Sequence, residues 1–320
     1  MIDGQLRANT WRTVRRLCTV AYFTVLVLFV AIDGIPTGRA LIMTVVVAGL
    51  GIGCIGSGWR RFAGVIVDWL PFSVVLIVYD LSRDVATVVH LPLHERDVAS
   101  AESRLFGGVM PPVWLQNQLY DPNVVHWYDA LATLVYFTHF VATPALAAVL
   151  WLRRRDMWVA YITRVIALAC AGLVTYVLFP EAPPWYAAQD GVIDPVARLS
   201  TRGWAWFHAD HLQDLVATVQ RDGANPVAAM PSLHTAFAML AALFIASRTT
   251  SRWRYLLYLY PALMGVVLVY TGEHYVLDIV VGIGYAIVVH RLAGRWERSR
   301  APRSETVRPE PVSVGVMSDM

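Results

Sequence analysis

Apolar runs recur along the chain at about 17–32, 40–57, 62–80, 128–152, 157–179, 231–247, 254–271 and 275–293, each about long enough to cross a hydrocarbon layer of ~30 Å as a helix. Within lipid, a spanning segment must satisfy its own backbone N–H and C=O groups, and a helix does so without a partner strand. The expected fold is therefore all-α, a polytopic membrane protein with about eight transmembrane helices. Composition agrees: 57% of residues are hydrophobic and 15% charged, against about 25% charged in soluble domains. A soluble two-domain enzyme is excluded on that basis.

The formal net charge of +3 would suit an acidic partner, but all 26 basic residues are Arg, a bias that reflects a GC-rich genome. They fall in short clusters between the apolar runs and so read as topology signals; nucleic-acid binding is discarded. Eighteen of them precede the first run or lie at or beyond the ends of the runs on that same side, seven lie on the opposite side, and Arg164 alone is in the middle part of a run. Both termini are thus expected in the cytoplasm, with residues 81–127 and 180–230 as two long outer loops and the cytoplasmic membrane of a bacterium as the location. Arg12, Arg15 and Arg16 precede the first run as in a signal peptide, but no A-x-A site follows and Asp33-Gly34 leads into a second run, so it reads as a retained anchor. Cys18, Cys54 and Cys170 are too scattered for a disulfide framework or a zinc site.

The outer loops carry structure of their own. Leu105-Phe106-Gly107-Gly108 and Pro112 to Gln116 suggest a short helix in the membrane interface, and Trp204 to Trp206 precede a candidate amphipathic helix around Leu212 to Val219. The tail, polar and holding three prolines, reads as disordered.

Ionisable residues beside membrane spans are costly and mark functional candidates. Met230-Pro231-Ser232-Leu233-His234 opens the sixth run, with Pro231 suited to a first helical turn and Ser232 to capping, so the helix N-terminus could receive a phosphate. Gly272-Glu273-His274-Tyr275-Val276-Leu277-Asp278 opens the eighth run on the same face, and in a helix His274 and Asp278 share one side. A carboxylate bonded to one imidazole nitrogen fixes the tautomer and strengthens the other nitrogen as a nucleophile. His274 is the candidate nucleophile, Asp278 its orienter, and His234 the acid and base for leaving group and acceptor. These three suffice for covalent phosphoryl transfer with no metal and no cofactor. The alternative is that both histidines merely satisfy helix ends.

At these residues the sequence resembles the type 2 phosphatidic acid phosphatase superfamily, and more closely its inositol phosphorylceramide synthase-like phosphotransferase branch. Pro231 to His234 is similar to the second family motif, His274-Tyr275-x-x-Asp278 to the third, and Ala182-Pro183-Pro184-Trp185 to the A-P-P-W of the synthase-like branch. The resemblance implies a phosphohistidine on His274 and a six-helix core. That divides the chain into 1–61, an N-terminal region with a two-span hairpin; 62–293, the catalytic core; and 294–320, the cytoplasmic tail.

The chain lacks the Lys and Arg that the phosphatase branch carries in its first motif, and Leu268 stands where that branch has an Arg before the third. Other donors must then hold the phosphate. Arg83 is the first choice; Arg198 and Arg202 are weaker ones. Ser232, Pro183 and Trp185 are the remaining substrate-binding candidates. His90 and His94 are separated by Pro92 and do not read as a metal site; His208, His211 and Asp214 read as solvated loop residues, and His139 as a buried hydrogen-bond partner. The expected activity is transfer of a phosphate-bearing headgroup between membrane lipids of phospholipid or polyprenyl phosphate type. A lipid phosphatase and a non-catalytic lipid-binding or transport protein are the alternatives.

Overall fold

The structure is a computed structural model that describes residues 2–33, 39–89, 92–209 and 227–300; side chains along much of the second half of its third helix lie outside the described set. Arg83 is one of these side chains, and His90, His211, Asp214, the helix expected around Leu212 and the tail beyond Arg300 also fall outside the described residues.

All regular structure among the described residues is helical. In chain order the helices are α1 (Ile2–Asp33), α2 (Arg39–Gly53), α3 (Trp59–Val89), α4 (Arg96–Leu105), α5 (Pro111–Leu119), α6 (Trp127–Arg153), α7 (Arg155–Leu178) and α8 (Pro184–Gln189). A 3-10 turn (Arg202–Phe207) follows, then α9 (Leu233–Ala246), a second 3-10 turn (Arg252–Tyr258), α10 (Leu259–Tyr270) and α11 (Val276–Arg300). Among the described residues five segments are long and apolar enough to cross a membrane: Asn9–Ile32, Trp127–Arg153, Arg155–Leu178, Arg252–Tyr270 and Val276–Arg300. Leu41–Gly53 and Leu233–Ala246 are apolar but shorter. Leu17, Val20 and Leu28 of α1 are each more than half exposed, as are Val174 and Leu178 of α7 and Val280 and Val288 of α11. Such an apolar outer surface is stable in lipid and a liability in water, so the protein is an integral membrane protein.

Helix α9 lies at the centre, packed by α6, α7, α10 and α11. Its 14 residues rise only about 21 Å, short of a bilayer's hydrocarbon thickness. The short helix is tolerated because its neighbours shield it: Ala236, Ala238, Ala242 and Ala246 are buried, and small side chains let helices approach closely. Its Leu240 and Phe244 form one core cluster with Leu168 and Tyr161 of α7, and Phe137, Trp204, Met264 and Leu268 form another.

Several boundaries differ from the sequence expectation: α1 begins at Ile2, α3 runs on to Val89, and α11 continues to Arg300, so the first part of the segment expected as a disordered tail is helical; two further differences lie nearer the candidate motifs. Ser232 is the N-cap of α9, so Pro231 lies just outside the helix rather than in its first turn. The run expected as one helix over 254–271 begins as the 3-10 turn at Arg252, started by Trp253 N–H donating to Ser251 Oγ at 3.3 Å. Pro261 has no N–H to give an α-helical bond to Leu257, which places the change to α-helix near Leu259.

The two long loops are pegged to the bundle. Gln116 of α5 donates from Nε2 to Tyr270 O at 2.9 Å and Ala197 O at 2.8 Å, and its Oε1 accepts from Ala197 N–H at 2.8 Å. Gly203 lies against α6 so closely that a Cβ there would meet Asp129 O at 2.3 Å. At the opposite end of the bundle Arg164, the arginine in the middle part of a run, is buried in α7 with its Nη1 and Nη2 on the Glu297 carboxylate of α11 at 2.5 and 2.8 Å.

Candidate active site

Two motif turns meet between α9 and α11. Ser232 N–H donates to Asp278 O at 3.0 Å, and Gly282, one turn further along α11, is so near that a Cβ would meet Ser232 O at 2.5 Å. Tyr176 of α7 donates its hydroxyl to Pro231 O at 2.8 Å, fixing the turn from the other side. Ser232 Oγ accepts the Thr235 N–H at 3.4 Å and is fully buried, so this side chain serves as a cap.

His274 sits on the tight connection from α10 to α11. Gly272 takes φ +74°, a left-handed conformation that costs glycine nothing, and the N–H groups of Glu273 and His274 both donate to Leu268 O. His274 Nδ1 is 3.2 Å from Asp278 Oδ2, which also accepts the Tyr275 N–H at 2.9 Å. That commits Nδ1 to the carboxylate and leaves Nε2 as the nitrogen available for chemistry.

His234, in the first turn of α9, has its ring centroid 5.6 Å from that of His274. Its Nε2 is buried with no hydrogen-bond partner among the described residues. Tyr136 stacks on it at 5.1 Å, and His139 approaches to 4.0 Å. Tyr136 and His139 are three apart on α6, the spacing that shares a helix face, but nothing in the sequence says that this face meets His234.

Arg198 supplies the nearby cation. Its Nε and Nη2 donate to the Glu273 carboxylate at 2.8 and 3.2 Å, its guanidinium carbon is 4.7 Å from the centre of the Trp185 ring, and it hydrogen-bonds the Tyr136 side chain. Ser200 Oγ completes the holder, donating to Glu273 Oε1 at 2.6 Å. Burial opposes the arginine's charge, but Glu273 and Tyr136 outweigh it and hold its pKa above the usual value.

The A-P-P-W segment is fastened to the same turn: Pro183 caps α8 and Trp185 N–H donates to Gly272 O at 3.1 Å. Arg202 is used elsewhere. It donates from Nη2 to Asp121 O and Val124 O at 2.5 and 2.9 Å and lies 3.7 Å from Asp129, tying the 121–124 turn to α6. No described contact takes it to either histidine. Arg83 belongs to the C-terminal stretch of α3, and its side chain is outside the described set.

Two buried carboxylates had no sequence signal. Glu102 of α4 caps α11, accepting Val276 N–H at 2.9 Å and Leu277 N–H at 3.0 Å. Burial raises its pKa, with those two N–H bonds working the other way. Glu181 is fully buried beside Asp278; burial first, then the Asp278 and Glu102 carboxylates, push its pKa well above the carboxylate range. Among the described residues no group of three or more His, Cys, Asp or Glu side chains is arranged to hold a metal. His94 instead stacks on Phe179 and bonds Asp97.

The sequence model of the PAP2 superfamily, the type 2 phosphatidic acid phosphatases and their relatives, matches residues 96–292. The phosphoinositol dihydroceramide synthase of Bacteroides thetaiotaomicron is 28% identical over 231 residues, 69% of this chain and 74% of that one. The inositol phosphorylceramide synthase catalytic subunit of Schizosaccharomyces pombe is 29% identical over 217 residues, 61% of this chain but only 50% of that protein. No solved structure matches. With most of its length matched and both histidine turns inside the match, the chain belongs to the PAP2 superfamily and is a membrane enzyme of its phosphotransferase and phosphatase class.

Proposed function

We propose that this protein moves a phosphate-bearing headgroup from a lipid donor to a lipid hydroxyl through a covalent intermediate on His274. The names of the relatives favour an inositol phosphate headgroup. The observation that carries the reading is the convergence of the His274–Asp278 pair and His234, whose rings lie 5.6 Å apart at the meeting of two helix starts.

In the first half-reaction His274 Nε2 attacks phosphorus, the bond from phosphorus to the donor's lipid oxygen breaks, and His234 gives that oxygen its proton. In the second, His234 takes the proton of the acceptor hydroxyl as it attacks, and His274 leaves. Asp278 holds the imidazole and stabilises its positive charge. Arg198, placed by Glu273, Trp185 and Tyr136, neutralises the phosphoryl oxygens, the task for which the sequence put Arg83 first and Arg198 and Arg202 behind it; Arg83 is retained as a second cation at the outer end of α3. Pro183 and Trp185 wall the entrance, and Ser232 shapes the turn beneath it.

The proposed setting is a bacterial cytoplasmic membrane crossed eight times, with both termini inside and the site on the outer face. Residues 62–293 form the catalytic core, 1–61 an added hairpin and 294–320 a cytoplasmic tail. Purified protein in liposomes of phosphatidylinositol and total lipid from the source should form a new phosphodiester lipid, detected by mass spectrometry, that His274→Ala does not form. Free phosphate without such a product would make water the acceptor and the enzyme a lipid phosphatase.

A further inference from the structure

The nucleophile's carboxylate has a partner that the three-residue site does not explain. Asp278 Oδ2 is occupied by His274 Nδ1 and the Tyr275 N–H. Its other oxygen, Oδ1, is buried, and among the described residues no N–H or hydroxyl reaches it. The same holds for both oxygens of Glu181, a fully buried side chain beside Asp278.

Glu181 cannot turn away. Its N–H donates to Val227 O at 2.9 Å and its C=O accepts from Ala229 N–H at 3.3 Å. On either side of it His94 N–H donates to Pro180 O at 2.9 Å and Ala182 N–H to His94 O at 3.2 Å. The groups facing it are the carboxylates of Asp278 in α11 and of Glu102 and Asp97 in α4, and the hydroxyl of Tyr275 just before α11, which is buried and reaches no hydrogen-bond partner among the described residues. Glu102 is occupied as the cap of Val276 and Leu277 and has no donor to offer.

Two ionised carboxylates in contact, shielded from water, repel strongly, and an unsatisfied buried oxygen is costly. One proton removes both penalties. On Glu181 it makes a donor for Asp278 Oδ1 and leaves the negative charge of the pair on Asp278, where His274 needs it. We infer that Glu181 is a positioning residue, held as the neutral acid and donating to Asp278, so that the nucleophile is oriented by a Glu181–Asp278–His274 chain. The inference deepens the proposed function and rests on His274 being the nucleophile.

The donor keeps the plane of the Asp278 carboxylate fixed, with Oδ2 towards His274. It also draws electron density from Asp278, so the Nδ1 proton stays on the imidazole rather than passing to the carboxylate. The apolar and amide replacements separate these effects from mere packing, because an amide N–H can donate to Asp278 Oδ1 and a leucine cannot.

The test uses the full-length protein, with Glu181→Gln and Glu181→Leu. The infrared difference between wild type and Glu181→Gln should show loss of the carbonyl stretch of a protonated carboxylic acid. In turnover of phosphatidylinositol, Glu181→Gln should keep kcat within about threefold, while Glu181→Leu loses about 10- to 100-fold in kcat at unchanged KM, as for outer groups that orient metal-bound histidines. Loss of a carboxylate band instead of an acid band, equal kcat for the two variants, or a change confined to KM would each overturn the inference. A wild type that does not turn over phosphatidylinositol would contradict the proposed headgroup, and the infrared band would still decide the state of Glu181.

Discussion

In the proposed mechanism Arg198 holds the phosphate, and its surroundings fix it for that task without a neighbouring basic residue. Its fork is taken by Glu273, its face lies on Trp185, and Tyr136 connects it to the ring that stacks on His234. A lysine at this position would keep the charge but lose the planar fork and the ring contact. Arg198→Ala should lower kcat/KM by about 10²- to 10³-fold, the loss typical of removing one preorganised donor, with Arg198→Lys recovering part of it in steady-state kinetics. The sequence ranks Arg83 above Arg198 because Arg83 follows an apolar run directly, whereas the partners of Arg198 come from residues 136, 185 and 273. Those contacts exist only once α6, α8 and the turn before α11 have come together. Glu181 was hidden for a similar reason: a glutamate in a loop normally reads as solvated, and its burial depends on the chain on both sides of it being pinned.

At the scale of elements, the site depends on how close α9 and α11 can come. Gly282 makes that approach possible, because Ser232 O occupies the space a methyl group would need. Gly282→Ala should therefore destabilise the protein by about 1–3 kcal/mol, as overpacking does, and reduce turnover by pushing the two histidine turns apart. Gly284→Ala, two residues on with nothing within 4 Å of its Cβ, is the matched control and should leave both thermal unfolding and turnover near wild type. The apolar runs made the helices themselves legible, since period and length suffice where the solvent is lipid. They did not reveal the shortness of α9 or the 3-10 entry into α10. Both follow from local chemistry, the capping Ser232 and the missing N–H of Pro261, which hydropathy does not register.

For the whole molecule, the histidine motifs were readable because they start helices, and the start of a helix is written locally in Pro, Ser and Gly. Their meeting was not readable from spacing alone: the pairing rested on both motifs opening apolar runs on the same expected face, and the resemblance to a family agreed with it. The arginine asymmetry predicts which side of the membrane they meet on. In a cysteine-free background, a cysteine placed at Gly191 should react with a membrane-impermeant maleimide on intact cells, and one at Arg300 only after permeabilisation; the reverse pattern would invert the topology. The central claim is that phosphorus is carried by His274. Incubating the enzyme with phosphatidylinositol in the absence of acceptor, quenching in alkali to preserve phosphohistidine, and sequencing the peptides by mass spectrometry tests it directly. The account predicts an inositol phosphate adduct on His274 that is missing in His274→Ala. An adduct on His234, or headgroup exchange that proceeds undiminished in His274→Ala, would contradict it.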